Sequence, residues 1–105
     1  MKEITVQELK AKIDSKENFQ LIDVREEHEH ELVNIEGELI PLATVMANAD
    51  KISKDKQVII YCRSGARSGT AVRQLEEQFG FTNLYNLKGG ILAYAKEIDP
   101  SLTTY

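Results

Sequence analysis

Val58-Ile59-Ile60-Tyr61-Cys62-Arg63-Ser64-Gly65-Ala66-Arg67-Ser68 changes character twice within one short stretch. Its first four residues are β-branched or aromatic, and with Gln57 they have the length and content of a strand covered on both faces. From Arg67 onward, Ala71, Val72, Leu75 and Phe79 recur at helical spacing, so a helix is expected to run to Gly80 and close with Phe81 folded back onto Leu75. Cys62 therefore lies between the carboxyl end of a buried strand and the amino end of a helix. Loop amides that point inward, together with the positive end of a helix dipole, form a concavity that favours an anion. The anion here would be a thiolate or a group attached to it. Gly65 permits the sharp turn that aims those amides, and the Cys62 sulfur is expected to lie exposed at the mouth of the electropositive bowl they line.

Outward from this segment, short apolar runs alternate with helical patterns. Thr5-Val6-Gln7-Glu8 has the Ser/Thr-x-x-Glu form of a capping box, and Val6, Leu9 and Ile13 follow at helical spacing, which predicts a helix to about Asp14 after a brief strand at Glu3-Ile4. Phe19 to Val24 reads as a buried strand. Glu26 to Glu31 reads as a solvated helical turn, with His28-Glu29-His30 a surface segment and not a metal pair. Pro41 limits a strand at Leu39-Ile40, and Leu42 to Asn48 reads as a helix. Asn83 to Leu87 is a further short strand, Gly89-Gly90 a tight turn near the cysteine loop, and Ile91 to Ile98 a last helix before Pro100. Such alternation defines an α/β domain on a largely parallel sheet.

Composition narrows the function. The 105 residues are 42% hydrophobic and 29% charged, which fits one globular domain over residues 1–105. The net charge of −4 argues against nucleic acid as a partner. No apolar run approaches a membrane span, and the Met1-Lys2-Glu3 start is not followed by a signal-peptide core, so a cytoplasmic location is expected. A single cysteine permits no internal disulfide and no multi-thiolate zinc site, and Gly89-Gly90 lacks the G-x-G-x-x-G pattern of a dinucleotide site; no metal or cofactor is expected. Of the four arginines, at 25, 63, 67 and 73, two flank the cysteine. A free cysteine with a pKa of about 8.5 is only about 7% thiolate near neutral pH. Positive charge and helix amides around Cys62 would raise that fraction.

The chain resembles the rhodanese homology family, sulfurtransferases that carry sulfur as a cysteine persulfide. The likeness rests on Leu21-Ile22-Asp23-Val24-Arg25-Glu26, Asn34-Ile35-Glu36-Gly37-Glu38-Leu39-Ile40-Pro41, the Cys62 to Ser68 loop and Asn86-Leu87-Lys88-Gly89-Gly90-Ile91. It implies a rhodanese-like three-layer α/β fold, a mainly parallel sheet wrapped by helices. It also implies Cys62 as the persulfide-forming nucleophile, with Arg63, Ser64, Gly65, Ala66, Arg67 and Ser68 as the anion cradle. Arg63 and Arg67 would orient a small anionic sulfur donor such as thiosulfate, and the amides of Ser64 through Ser68 would hold the terminal sulfur. A protein persulfide is the other implied donor, and a protein is a possible sulfur acceptor. Asp23 and Arg25 are expected to give structural support at a strand end.

Arg67 follows Cys62 by five positions. Phosphatase relatives have a loop one residue longer, as a tetrahedral phosphoryl group needs a wider ring of amides than a single sulfur. Where the family commonly has Gly-His-Ile-x-Gly-Ala, this chain reads Val33-Asn34-Ile35-Glu36-Gly37-Glu38. With the closing Gly89 to Pro100 stretch and Tyr105, that variant is similar to the rhodanese domains fused behind adenylyltransferases. The alternative from another class is a non-catalytic rhodanese-like interaction module, which commonly lacks the cysteine.

Overall fold

The computed structural model describes residues 1–105. Five parallel strands, β1 (Glu3–Ile4), β2 (Gln20–Asp23), β3 (Glu38–Leu39), β4 (Val58–Tyr61) and β5 (Leu84–Leu87), lie in the order β1-β5-β4-β2-β3. Four helices connect them: α1 (Val6–Asp14), α2 (Glu27–Leu32), α3 (Ala66–Phe79) and α4 (Gly90–Glu97). The expected parallel α/β architecture is therefore what forms. No helix is long and apolar enough to cross a membrane.

The three layers follow from the two-residue period of a strand. In β4, Val58 and Ile60 point with Cys62 into a core shared with Ala71, Val72 and Leu75 of α3, whereas Ile59 and Tyr61 point into a core shared with Val6 and Leu9 of α1 and Ile91 and Tyr94 of α4. Both faces of β4 are covered, as its unbroken apolar run requires, and all four of its residues are fully buried. The same alternation turns Asn86 of β5 toward the face occupied by Leu84, hence toward the cysteine loop.

Local signals hold at several termini. Thr5 caps α1 through Oγ1, which accepts from the Glu8 amide at 3.1 Å, while the Glu8 carboxylate accepts from the Thr5 amide at 3.0 Å. That closes the reciprocal box. Helix α3 ends at Gly80, whose φ of +68° is left-handed, with Phe81 and Leu75 in one core.

The expected helix at Leu42 to Asn48 is a correction: the chain forms two short 3₁₀ turns, Leu42–Thr44 and Ala49–Lys51. The Asn48 side-chain amide donates to the Thr44 carbonyl at 2.9 Å, and its main-chain amide is shared between the carbonyls of Thr44 and Val45. An asparagine that competes for backbone groups in this way breaks the regular ladder, while the apolar spacing survives because Val45 is fully buried.

The topology places a crevice at one end of the sheet. The chain leaves β2 toward β3 and leaves β4 toward β5, in opposite directions across the sheet. Ligands of parallel α/β sheets bind where such connections diverge, outside the carboxyl ends of the strands. Cys62 follows the end of β4, and Val24 and Arg25 follow the end of β2.

Candidate active site

Gly65 is the residue before α3 and adopts a φ of +107°. It has no side chain with which to accept from the free amides of the first helical turn, and those amides need a partner. The Cys62 sulfur takes that place. Sγ accepts from the Gly65 amide at 3.1 Å, the Ser68 amide at 3.4 Å and the Ser68 hydroxyl at 3.3 Å. A second helix terminus holds the other side of the strand end, where the amides of Ile91 and Leu92 in the first turn of α4 donate to the carbonyls of Cys62 and Arg63 at 2.9 and 3.1 Å. Gly90 makes this approach possible, since a Cβ at its φ of +60° would lie 2.6 Å from the Cys62 carbonyl oxygen. The expected turn at Gly89-Gly90 is thus a packing element that presses α4 onto the loop.

Burial pushes the Cys62 thiol up. Hydrogen bonds from the Ser68 hydroxyl and from the amides of Ser68, Gly65 and Ser64 outweigh it, so the thiol lies below an ordinary cysteine. The sulfur is not exposed at the mouth of a bowl, however. Cys62 is 1% exposed, beneath a loop whose Ser64 and Ala66 face solvent. The Ser68→Ala variant, which removes the one side-chain donor among these bonds, is expected to raise the thiol pKa by about one pH unit or more, as a hydrogen bond to a charged group is worth ~1.5–3 kcal/mol. The pH dependence of iodoacetamide alkylation measures it; an unchanged midpoint would remove the hydroxyl from the account.

The structure brings the loop residues together but gives its two arginines partners of their own. Arg67 donates from both terminal nitrogens to the Glu29 carboxylate at 2.7 and 2.9 Å, across the crevice from α2. Arg63 donates from Nε to the main-chain oxygen of Tyr105 at 2.7 Å and from Nη2 to the same atom. The Arg67 bonds hold the Glu29 carboxyl well below the usual carboxylate range. That contribution to stability is present above the ordinary glutamate pKa and is lost only as the pH falls toward the lowered value.

The segment expected to be solvated is a second correction. Glu26, Glu27 and His28 are exposed, but Glu29 is 7% exposed and His30 Nδ1 lies 2.9 Å from Asp23 Oδ2. Glu26 and Glu29 form a capping box that starts α2, and its first turn delivers Glu29 to Arg67. Asp23 and Arg25 are both fully buried and paired at 2.7 Å, which makes them the expected structural support.

Asn86 was not singled out by sequence, yet it organises the loop. Its Nδ2 donates to the Gly65 carbonyl at 3.0 Å, which fixes the amide so that Oδ1 accepts from the Ser68 hydroxyl at 2.5 Å. Ser68 has one hydroxyl proton for two acceptors, the Cys62 sulfur and Asn86 Oδ1. The available signal was a lone amide at an inward position of the otherwise apolar strand Leu84-Tyr85-Asn86-Leu87.

A cysteine sulfur held at the joint of two helix termini, on a five-stranded parallel sheet, defines a class of protein that the comparisons identify. The Rhodanese-like domain family matches residues 5–97, and the chain belongs to that family. It is 37% identical over 95 residues to a protein named "Sulfurtransferase" from Allochromatium vinosum, covering 90% of this chain and 88% of that one. It is 35% identical over 105 residues to "Probable adenylyltransferase/sulfurtransferase MoeZ" of Mycobacterium tuberculosis, covering 97% of this chain but only 26% of that protein. The crystal structure of a rhodanese-like domain protein from Staphylococcus aureus superposes with a TM-score of 0.83 at 31% identity, covering 100% of this chain and 99% of that one.

Proposed function

We propose that the protein is a sulfurtransferase that carries sulfane sulfur as a persulfide on Cys62. The observation that carries this reading is the sulfur at the amino end of α3, accepting two amides and a hydroxyl, a setting that favours a thiolate and would equally favour the anionic outer sulfur of a persulfide.

The reaction is a double displacement. The Cys62 thiolate attacks the outer sulfur of thiosulfate or of a protein persulfide, a sulfur–sulfur bond forms, and sulfite or the donor thiolate leaves with the electron pair of the broken bond. A nucleophilic acceptor, such as cyanide or a protein thiolate or thiocarboxylate, then attacks the outer sulfur, and Cys62 departs as the thiolate it began as. The lowered thiol pKa lets Cys62 ionise without a general base. Arg63 and Arg67 are the arginines nearest Cys62 in sequence and would orient an incoming anion, and the amides of the Ser64 to Ser68 turn would hold the charge on the terminal sulfur.

The short loop favours sulfur over phosphate for the size reason given above. Incubation with thiosulfate is expected to add about 32 Da to Cys62 by intact-mass and peptide mass spectrometry, and cyanide is expected to remove it as thiocyanate. No adduct on the folded protein from either thiosulfate or a low-molecular-weight persulfide would overturn the proposal and leave the interaction module.

A further inference from the structure

Tyr105 gathers the cationic groups of the site. Its main-chain oxygen accepts from both Nε and Nη2 of Arg63, and its hydroxyl accepts from Arg25 Nη1 at 2.9 Å while donating to Glu29 Oε2 at 2.7 Å. Glu29 in turn holds Arg67. The guanidinium groups of Arg63 and Arg25 lie 5.1 and 5.9 Å from the centre of its ring, within cation–π range. Three of the chain's four arginines thus meet Tyr105 directly or through one carboxylate. Leu102 and Tyr105 also pack on the core of α1 and α4, which holds this segment in place.

The consequence concerns charge at the mouth of the site. A guanidinium whose donors are already bonded offers less to an incoming anion than a free one, because the new bond must replace an old one. Arg63 directly follows the nucleophile, and Tyr105 takes two of its donors.

We propose that Tyr105 is a specificity-determining residue that withholds Arg63 from small free anions, so that a compact anionic donor such as thiosulfate must compete with Tyr105 for that guanidinium. The proposal rests on the sulfurtransferase reading for its meaning, but its test does not. Alkylation of Cys62 by iodoacetate, an anion, and by iodoacetamide, its neutral counterpart, compares the same thiolate with two probe charges.

Tyr105→Ala removes the hydroxyl and ring that hold residue 105 on Arg25, Glu29 and the core, so its main-chain oxygen is no longer fixed on Arg63, and the ratio of iodoacetate to iodoacetamide rates is expected to rise about five-fold, the scale of one freed charge at a wet site. Arg63→Gln in the same background is expected to abolish the rise. In turnover with thiosulfate and cyanide, Tyr105→Ala is expected to lower KM for thiosulfate with little change in kcat, a split that general loosening of the fold would not produce. An unchanged ratio in folded Tyr105→Ala protein, or a rise that persists without Arg63, would overturn the proposal. If the alanine variant does not fold, Arg63→Gln in the parent decides: an unchanged ratio supports the proposal, because a withheld guanidinium adds little to the capture of an anion, and a fall of several-fold overturns it. If Cys62 takes up no sulfur from any donor, the sulfurtransferase reading fails while the alkylation ratio still decides the role of Tyr105.

Discussion

Cys62→Ser protein is expected to lose sulfur transfer to the level of a blank, a fall on the order of 10⁴-fold or more, while remaining folded. Two effects act together. A serine hydroxyl is scarcely ionised near neutral pH, and the bonds that lower the cysteine pKa cannot lower that of an alcohol far enough to change this. Oxygen would also have to hold the sulfane sulfur through a sulfur–oxygen bond, a far poorer carrier than a disulfide-like bond.

The fold should tolerate the exchange. Serine is nearly isosteric, and its oxygen can accept from the same Gly65 and Ser68 donors. Stability is expected to stay within about 1 kcal/mol of the parent. Because burial is outweighed by those hydrogen bonds and the thiol lies below the ordinary value, transfer by the parent should rise with pH through a midpoint lower than that of a free cysteine and fall at lower pH as the thiolate takes up a proton. Steady-state rates across pH, with circular dichroism on the variant, check both parts. A serine variant that still turned over at a tenth of the parental rate would remove Cys62 from the reaction.

What the sequence made legible, and what it hid, divides along physical lines. Strand β4, the caps of α1 and α3 and the place of Cys62 were readable because each is written in contiguous residues: an apolar run, a Thr-x-x-Glu box, a glycine after the last turn. Glu29 was hidden because its character depends on distant partners. In the chain it is one acid among several between two histidines, and only the approach of α2 to α3 gives it Arg67 and Tyr105. Tyr105 was hidden for the same reason: 42 residues separate it from Arg63 and 80 from Arg25. The depth of the sulfur was misjudged because spacing locates a strand end but does not say how far the following loop folds over it.

The Asp23–Arg25 pair shows how much of the site rests on one buried charge. Arg25 has no exposed surface, and its guanidinium donates to Asp23 Oδ1 at 2.9 Å and Oδ2 at 2.7 Å, to the Val33 carbonyl at 2.6 Å, to the Glu29 carbonyl at 3.3 Å and to the Tyr105 hydroxyl. Burial works against the charged guanidinium, but the bonds to Asp23 and Tyr105 prevail and hold it above the usual arginine value. Arg25 therefore ties the end of β2 to the middle and the carboxyl end of α2, the helix that carries Glu29.

Arg25→Met fills most of the volume but strands the Asp23 carboxylate in the core, with only the Arg25 amide and His30 Nδ1 left to it. Removing one partner of a buried ion pair costs about 3–5 kcal/mol, set against a total of about 5–15 kcal/mol for a domain of this kind. The expected result is a drop in melting temperature of about 15 °C or more. Pairing the change with Asp23→Asn should restore part of the loss, because no charge then remains buried, but not all, because the carbonyls of Glu29 and Val33 still lack their donor. An Arg25→Met protein within 1 °C of the parent, measured by calorimetry, would mean that the pair is incidental to the fold. A loss in the single variant with no recovery in the double would assign the cost to the two carbonyls rather than to the stranded charge.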